Sequence, residues 1–452
     1  MRMLSAAEAI DMAGIGVGPA NLSLAALVHP HSEITAKFFE RTGEFQWHPG
    51  MMLPSAKLQV HYLKDLVSLV DPSNPFSFLA YLARKKQLLS FINANFDQVL
   101  RCEFNQYYRW ACSQLPSLQF NSDVRSIEFE NGFFMLRGDD WVQPARNLVL
   151  GTGQQPSIPA CAQSFIGETL FHSSQFMTRQ RSLKDKRVVV IGGGQTGAEI
   201  IQYLLSDASA LPASVTWVSR RWNFCPLDES PFTNELYSPQ YSDHFFGLPQ
   251  HVRQALLAEQ KLASDGISQS LLESIYRRIY ELKNVLHHAC KIQLYPGREL
   301  LGISERNHHW SLSMVHGHSQ VREELSADTA VLCTGYEYRV PACLEGLESR
   351  ISRHAGGYVV HDDYSIEWDG PQGSAIYVQS AARSQKGIAD PNLGLIPWRC
   401  AKIINSVCGH ALYDLVEPES LVQWGATEVF DEVTDARFDR LAALANWSSG
   451  AW

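Results

Sequence analysis

The stretch "KRVVVIGGGQTGAEIIQYLL", beginning at Lys186, constrains the fold more than any other part of the chain. Four apolar β-formers run into Gly192, Gly194 and Gly197 at full G-x-G-x-x-G spacing, and an amphipathic helical pattern follows. A strand feeding a helix through such a turn leaves backbone N–H groups and the positive end of the helix dipole aimed at one spot, where a pyrophosphate binds. Gln195 and Thr196 open that helix. "VTWVSRR" supplies the next strand, and where an NAD-specific site carries an acid it ends in Ser219, Arg220 and Arg221. Guanidinium forks suit a 2′-phosphate, so the expected dinucleotide is NADPH; the alternative is a solvated surface pair.

The same organisation occurs near the start. "DMAGIGVGPANLSLAALV" gives a short apolar strand, a turn at Gly14, Gly16 and Gly18, and a helix from Asn21; "AKFFE" then ends in Glu40, placed to accept hydrogen bonds from a ribose. The third glycine of the motif is replaced by Pro19, which still permits a tight turn. Two apolar strands run into T-G turns, at Gly151-Thr152-Gly153 and, after Asp328, at Thr334-Gly335-Tyr336. Flavoproteins with two dinucleotide sites use such strands to pass between domains. The expected fold class is therefore α/β, with two Rossmann-like dinucleotide-binding domains and a small substrate-binding region. An FAD domain in two pieces, about 1–175 and 328–452, would flank an NADPH domain at 176–327 that carries a substrate-site insertion at about 225–285.

Composition excludes several functions. A net charge of -9 with no basic run longer than a pair such as Arg220-Arg221 argues against nucleic acid or an anionic membrane as partner. No stretch approaches the ~20 apolar residues of a membrane span, and the N-terminus lacks the apolar core of a signal peptide, so a cytoplasmic location is expected. Nine scattered cysteines without a C-x-x-C pair indicate reduced thiols, and neither they nor the histidines show metal-ligand spacing.

Further motifs carry a specific resemblance. Trp47-His48-Pro49-Gly50-Met51, "LQVHYLKDLVSLVDPSNPFSFLAYL" from Leu58, "GGGQTGAE", "VSRRWNF", "LDESPFTNE", "LASDGIS" and "GIADPNL" together resemble the microbial N-hydroxylating flavin monooxygenases. These are the lysine, ornithine and diamine N-monooxygenases of hydroxamate siderophore assembly. The resemblance extends from about Gly14 to Arg399. It implies hydroxylation of a terminal primary amine with FAD, NADPH and O₂ through a C4a-hydroperoxyflavin, the flavin doing the hard step. The protein must then shield the flavin from water and deliver a neutral amine, whose solution pKa is near ~10.4. Burial lowers that value by disfavouring the ammonium. No dedicated base is obvious.

Carried over motif by motif, the resemblance places Gln59 beside the flavin, Lys64 on the substrate's carboxylate, and Asn234 at the substrate's amino-acid end. It puts Trp47, His48, Asp390, Pro391 and Asn392 with the cofactor, and Leu393 with the substrate. Ser264-Asp265-Gly266-Ile267 stands where ornithine enzymes commonly have N-Y-S, which disfavours ornithine. Lys64 suits lysine, whereas Asp265 could hold the far ammonium of putrescine or cadaverine, or the α-ammonium of lysine. Gly394 follows Leu393 where relatives often have serine. Lysine and a diamine stay equally open, with histamine a minor alternative. A monooxygenase acting on sulfur or ketone carbon is disfavoured because "FIGETLFHSSQF" misses the F-x-G-x-x-x-H spacing of that class by one residue, leaving His172 as a linker or packing residue. A non-catalytic flavoprotein is disfavoured by the intact nucleotide loops and Gln59. The family tends towards homotetramers.

Overall fold

In the computed structural model, which describes residues 9–179, 182–416 and 420–425, a mixed sheet and a parallel sheet sit behind two nucleotide-type loops. The expectation for the second flavin-domain piece, 328–452, includes C-terminal helices, and its residues 426–452 lie outside the described residues.

The first sheet runs Leu118–Gln119, Ala36–Phe39, Ile10–Ile15, Val142–Leu150, Phe133–Arg137, Ser126–Glu130. Val142–Leu150 is shared along its length. Its first half pairs antiparallel with Phe133–Arg137, and Leu148–Leu150 pairs parallel with Ile376–Val378. That last pairing brings the C-terminal segment back onto the first sheet. Helices Pro19–Val28 and Ile396–Cys408 pack against each other beside it.

The second sheet is parallel throughout, in the order Lys291–Pro296, Ser214–Ser219, Arg187–Ile191, Thr329–Leu332, Leu170–His172. Its strands read as near-continuous apolar runs because both faces are covered. Val188, Val190 and Val331 are wholly buried, with helices Gln195–Ser206 and Gln269–Tyr280 over one face. On the other face lies a three-stranded antiparallel sheet, Arg298–Arg306, His309–His316 and Arg322–Ala327.

Strand membership moves both expected domain junctions. Leu170–His172 and Thr329–Leu332 had been placed with the flavin domain by the 175/176 and 327/328 divisions, yet both pair within the second sheet. The chain crosses between domains just outside them, where Gln155–Pro156 pairs with Tyr336–Glu337. The expected insertion forms short helices between the strands Ser214–Ser219 and Lys291–Pro296, among them Pro231–Asn234, Pro239–Gly247 and Lys261–Asp265.

An aromatic cluster of Phe78, Phe104, Tyr107 and Tyr108, all buried, supports the segment 58–78. Asp65 is sealed inside it. Its Oδ1 accepts from the Val67 and Ser68 amides at 2.9 and 2.7 Å, and its Oδ2 from the Phe78 amide at 2.6 Å and Ser68 Oγ at 2.8 Å. Burial raises its pKa, and the four donors oppose that by favouring the anion. Asp65 thus folds the loop on which Lys64 stands, and Lys64-Asp65 is no surface pair.

Candidate active site

The first nucleotide loop is built at the carboxyl ends of parallel strands. The Gly16 amide donates to Phe39 O at 2.8 Å and the Gly151 amide to Ile15 O at 2.9 Å, which brings three strand ends together. Gly16 has φ +83, and a Cβ there would press on the Gly151 carbonyl at 2.7 Å, so both backbone angle and space call for glycine. Helix Pro19–Val28 begins at Gly18 with no side-chain cap, no acid in its first turn and Pro19 in its first turn. Its free N–H groups and dipole therefore face the loop mouth, as a pyrophosphate requires. Glu40 Oε2 accepts from the Val17 amide at 2.9 Å and Oε1 from the Thr42 amide at 3.0 Å. That places its carboxylate at the loop rim, on the ribose side. Gly14, Gly16, Gly18, Pro19 and Glu40 fit the adenine-dinucleotide half of a flavin cofactor.

The side chain of Asn21, a residue also expected at the cofactor, points into the protein. It is wholly buried, its Nδ2 donates to Gly16 O at 2.8 Å and Ile15 O at 3.3 Å, and its Oδ1 accepts from Gln379 Nε2 at 2.9 Å. It shapes the loop from behind. Asp390 is similar: its Oδ1 lies 3.1 Å from Arg399 Nη1 and its Oδ2 accepts from the Ala382 amide at 2.9 Å. Arg399 Nε in turn donates to Gln379 Oε1 at 3.0 Å. A buried chain Asp390–Arg399–Gln379–Asn21 therefore ties the segment 387–395 to the first loop. Asn392 Oδ1 accepts from the Gly394 amide at 2.7 Å, fixing the turn Leu393–Leu395 after Pro391. The side chains of Asn21 and Asp390 are thus turned into the protein, because buried polar groups take their partners from whatever backbone is nearest.

The second loop follows the same plan. The Gly192 amide donates to Val218 O at 2.8 Å and Trp217 Nε1 to Gly192 O at 2.9 Å. Helix Gln195–Ser206 starts at Gly194 without a side-chain cap or an acid in its first turn. Gly197 packs directly against the Gly192 carbonyl, allowing the close helix–strand contact of this motif. Gln195 and Thr196 occupy the first helical turn. Gln195 reaches sideways, with Nε2 donating to Glu199 Oε1 at 3.1 Å and Oε1 accepting from the Ser268 amide at 2.9 Å. Arg220, about half exposed, lies 3.8 Å from Glu299, while Arg221 Nη1 donates to Asp265 O at 2.8 Å. The donor set, uncapped amides flanked by guanidinium groups, fits a phosphorylated dinucleotide.

Thr334 and Gly335 hold the crossover between the domains. Thr334 Oγ1 donates to Ser157 O at 2.5 Å, and Gly335 O accepts from the Ser157 amide at 3.0 Å and from His172 Nε2 at 3.1 Å. His172 is buried and burial lowers its pKa, so it is a neutral linker residue. Trp47 packs edge-on to Tyr108 at 5.1 Å. His48 has a left-handed backbone (φ 47) and stands 6.1 Å from the Tyr336 ring. Its side chain is solvent-exposed at one face and backed by protein at the other. Desolvation on that side, then the charge of Arg101, lowers its pKa to about 4, so it is neutral at ordinary pH.

The structure brings Lys64, Glu235 and Gly394 together. Lys64 Nζ is 3.6 Å from where a side chain on Gly394 would begin, and its Cδ 3.2 Å, so the missing side chain gives this lysine room. Burial lowers the Lys64 pKa, and Glu235 raises it. Among the described residues Lys64 Nζ makes no hydrogen bond and no ion pair within 4 Å. Asn234 ends the helix Pro231–Asn234, capped by Ser230, with Glu235 next in the chain. Gln59 is exposed, beside Leu58 whose amide donates to Val99 O at 3.0 Å.

Asp265 is placed differently from the expectation that it meets the substrate. Its carbonyl is 3.7 Å from the position of a Cβ on Gly194, and its Oδ1 accepts from Ser264 Oγ at 2.9 Å and lies 3.8 Å from Arg383 Nη2. The structure groups it with the second nucleotide loop, where its carboxylate already has a cation. Sequence reasoning did not reach Arg101, Glu199, Lys261, Glu235, Arg383 or Arg399; the partners of Arg101, Glu199, Glu235 and Arg383 are distant in the chain. Glu199 carried one signal, an acid in the otherwise apolar helix "AEIIQYLL". Among the described residues no group of His, Cys, Asp and Glu is placed to hold a metal, and all nine cysteines are free thiols.

Known proteins share this arrangement. The family model for L-lysine 6-monooxygenase/L-ornithine 5-monooxygenase matches residues 8–338. L-lysine N6-monooxygenase of Escherichia coli is 39% identical over 420 residues, 92% of this chain and 99% of that protein. The FAD-bound cadaverine monooxygenase of desferrioxamine biosynthesis from Erwinia amylovora has TM-score 0.88 and 31% identity, covering 93% of this chain and 99% of that one. An ornithine N-hydroxylase from Kutzneria sp. 744, with reduced FAD, NADP+ and L-ornithine, has TM-score 0.82 and 28% identity over 89% of this chain and 99% of that one. Two nucleotide loops, each at the ends of parallel strands, with a lysine-bearing loop between them in the chain, and a match that runs through all three, lead to one conclusion: the chain belongs to the L-lysine 6-monooxygenase/L-ornithine 5-monooxygenase family and is an FAD- and NADPH-dependent flavin N-monooxygenase.

Proposed function

We propose that the chain N-hydroxylates the terminal amine of L-lysine in preference to an aliphatic diamine, supplying a hydroxylamine for hydroxamate siderophore assembly. One observation carries this reading. Lys64, a partly desolvated cation with no ion pair among the described residues, stands where the far end of the substrate would lie. A carboxylate there gains a charge-assisted hydrogen bond, whereas a second ammonium would meet a like charge. The acid that would have favoured a diamine, Asp265, faces Arg383 instead. Glu235 beside Lys64 adds an acceptor for the α-ammonium of an amino acid. In this reading Lys64 binds the carboxylate, Asn234 steadies the amino-acid end, Leu393 packs along the chain, and Gln59 orients the amine at the flavin.

FAD, when bound, would take a hydride from NADPH and activate O₂, one oxygen atom going to the amine and the other to water. The protein's part is to hold both reactants and exclude water: the aromatic layer under 58–78 walls one side, and burial keeps the amine neutral. The diamine reading is favoured by the structural likeness to the cadaverine monooxygenase and by putrescine N-hydroxylases 32% and 33% identical to this chain. We infer also a cytoplasmic enzyme that assembles as a homo-oligomer; no helix among the described residues is long and apolar enough to cross a membrane. The test is a competition assay with equal lysine, cadaverine, putrescine and ornithine, the products read by mass spectrometry. N6-hydroxylysine should dominate; dominance of a hydroxylated diamine would overturn the lysine assignment.

A further inference from the structure

Cations from three separate segments crowd the mouth of the second nucleotide loop. Arg220 and Arg221 follow the strand Ser214–Ser219, and Lys261 opens the helix Lys261–Asp265. Arg383 opens the helix Arg383–Lys386, which follows the flavin-sheet strand Ile376–Val378. Arg221 Nη1 donates to Asp265 O at 2.8 Å; Arg383 Nη2 donates to Ser264 Oγ at 3.0 Å and lies 3.8 Å from Asp265 Oδ1. Lys261 and Asp265 are four residues apart on one helix and so share a face. The ammonium of Lys261 is disfavoured by burial and by Arg221, Arg220 and Arg383, with Asp265 alone opposing. Arg220 has Glu299. That leaves Arg221, Lys261 and Arg383 to share one carboxylate.

Gathering like charges costs free energy unless an anion completes the site. The location says which anion. The Asp265 carbonyl abuts Gly194, the uncapped start of helix Gln195–Ser206, and Gln195 fastens Ser268 of the same segment to that helix. A pyrophosphate on this helix terminus would lie against the cluster, whereas the 2′-phosphate falls at the end of the strand carrying Arg220.

We propose that Arg383 and Lys261 bind the NADPH pyrophosphate, Arg383 reaching it from the flavin domain, so that the bound dinucleotide draws the two domains together. This rests on the reading of the second loop as the NADPH site. The experiment measures Kd for NADP+ and NAD+ on the FAD-loaded full chain by titration calorimetry, comparing wild type with Arg383→Gln, Lys261→Gln, Arg383→Lys and Arg220→Ala. Losing one charge-assisted contact should weaken binding by roughly tenfold or more. Arg383→Gln and Lys261→Gln should each weaken NADP+ and NAD+ by the same factor, leaving their ratio unchanged. Arg383→Lys should recover most of the loss. Arg220→Ala should change the ratio instead. Kd values within twofold of wild type in both Gln variants would overturn the proposal, as would weakening of NADP+ alone. Failure of wild type to bind NADP+ would overturn the nucleotide reading and the proposal with it. If Arg383→Gln loses FAD, Lys261→Gln and Arg383→Lys carry the test.

Discussion

Removing Glu199 should uncouple the two domains. Glu199 is buried on helix Gln195–Ser206, and Arg101 is the first residue of a helix in the flavin domain. Their contact is bidentate, Nη1 to Oε2 at 2.9 Å and Nη2 to Oε1 at 2.7 Å, with side-chain exposures of 14% and 4% that exclude most screening by water. Arg101 Nη1 also donates to Met51 O at 2.9 Å, so the guanidinium cannot swing out freely. In Glu199→Leu it stays buried without a counter-ion, a loss of about 3–5 kcal/mol. At roughly 2–4 °C per kcal/mol for a domain of this size, the melting temperature should fall by on the order of 10 °C. Glu199→Leu combined with Arg101→Met removes both charges and should recover most of that loss. Differential scanning fluorimetry on the flavin-loaded enzyme reads all three variants. Because Gln195 Nε2 is held by the same carboxylate, the KM for NADPH should also rise in Glu199→Leu. A single variant within about 1 °C of wild type, or a double variant no better than the single, would refute the reasoning.

Arg220→Ala should raise the KM for NADPH about tenfold, the scale of one charge-assisted contact, and leave that for NADH unchanged; equal changes in both would remove Arg220 from the 2′-phosphate. The Asp328 carboxyl is held down at about 2, chiefly by its hydrogen bond from Arg187. A folded pKa below the unfolded one means stability that is fully present above about pH 4 and lost as pH falls towards 2. Asp328→Asn should therefore melt lower than wild type at pH 7, and the gap should shrink below about pH 4; thermal scans at pH 7, 4 and 3 check it, and a constant gap would contradict it.

The parts of the fold that were legible in the sequence are those encoded locally. Both glycine turns, the helix after each and the acid or arginines ending the next strand lie within about thirty residues of one another, as a βαβ unit demands. The Asp65 side chain buried beneath Lys64 was not legible, because its donors come from backbone folded around it. The inward side chains of Asn21 and Asp390 were not legible, because a polar residue beside a glycine loop looks alike whether it faces a ligand or the protein behind it; Gln379, far along the chain from Asn21, and Arg399 supply their partners. Asp265 was read as a free acid for the same reason, since Arg383 lies over a hundred residues away. The domain junctions slipped because an apolar strand entering a T-G turn does not say which sheet it joins, and the pairing of Thr329–Leu332 with Arg187–Ile191 is a long-range fact.

The central claim is that Lys64 reads the substrate's carboxylate, and the most direct measurement is kcat/KM for hydroxylamine formation from lysine and from cadaverine in wild type and Lys64→Met. Methionine keeps the apolar stem and removes the charge. Loss of one charge-assisted hydrogen bond, about 1.5–3 kcal/mol, should lower kcat/KM for lysine by roughly 10- to 150-fold, while cadaverine, freed of a like charge, should hold its wild-type value or rise. An equal fall for both amines, or no fall for lysine, would contradict the account.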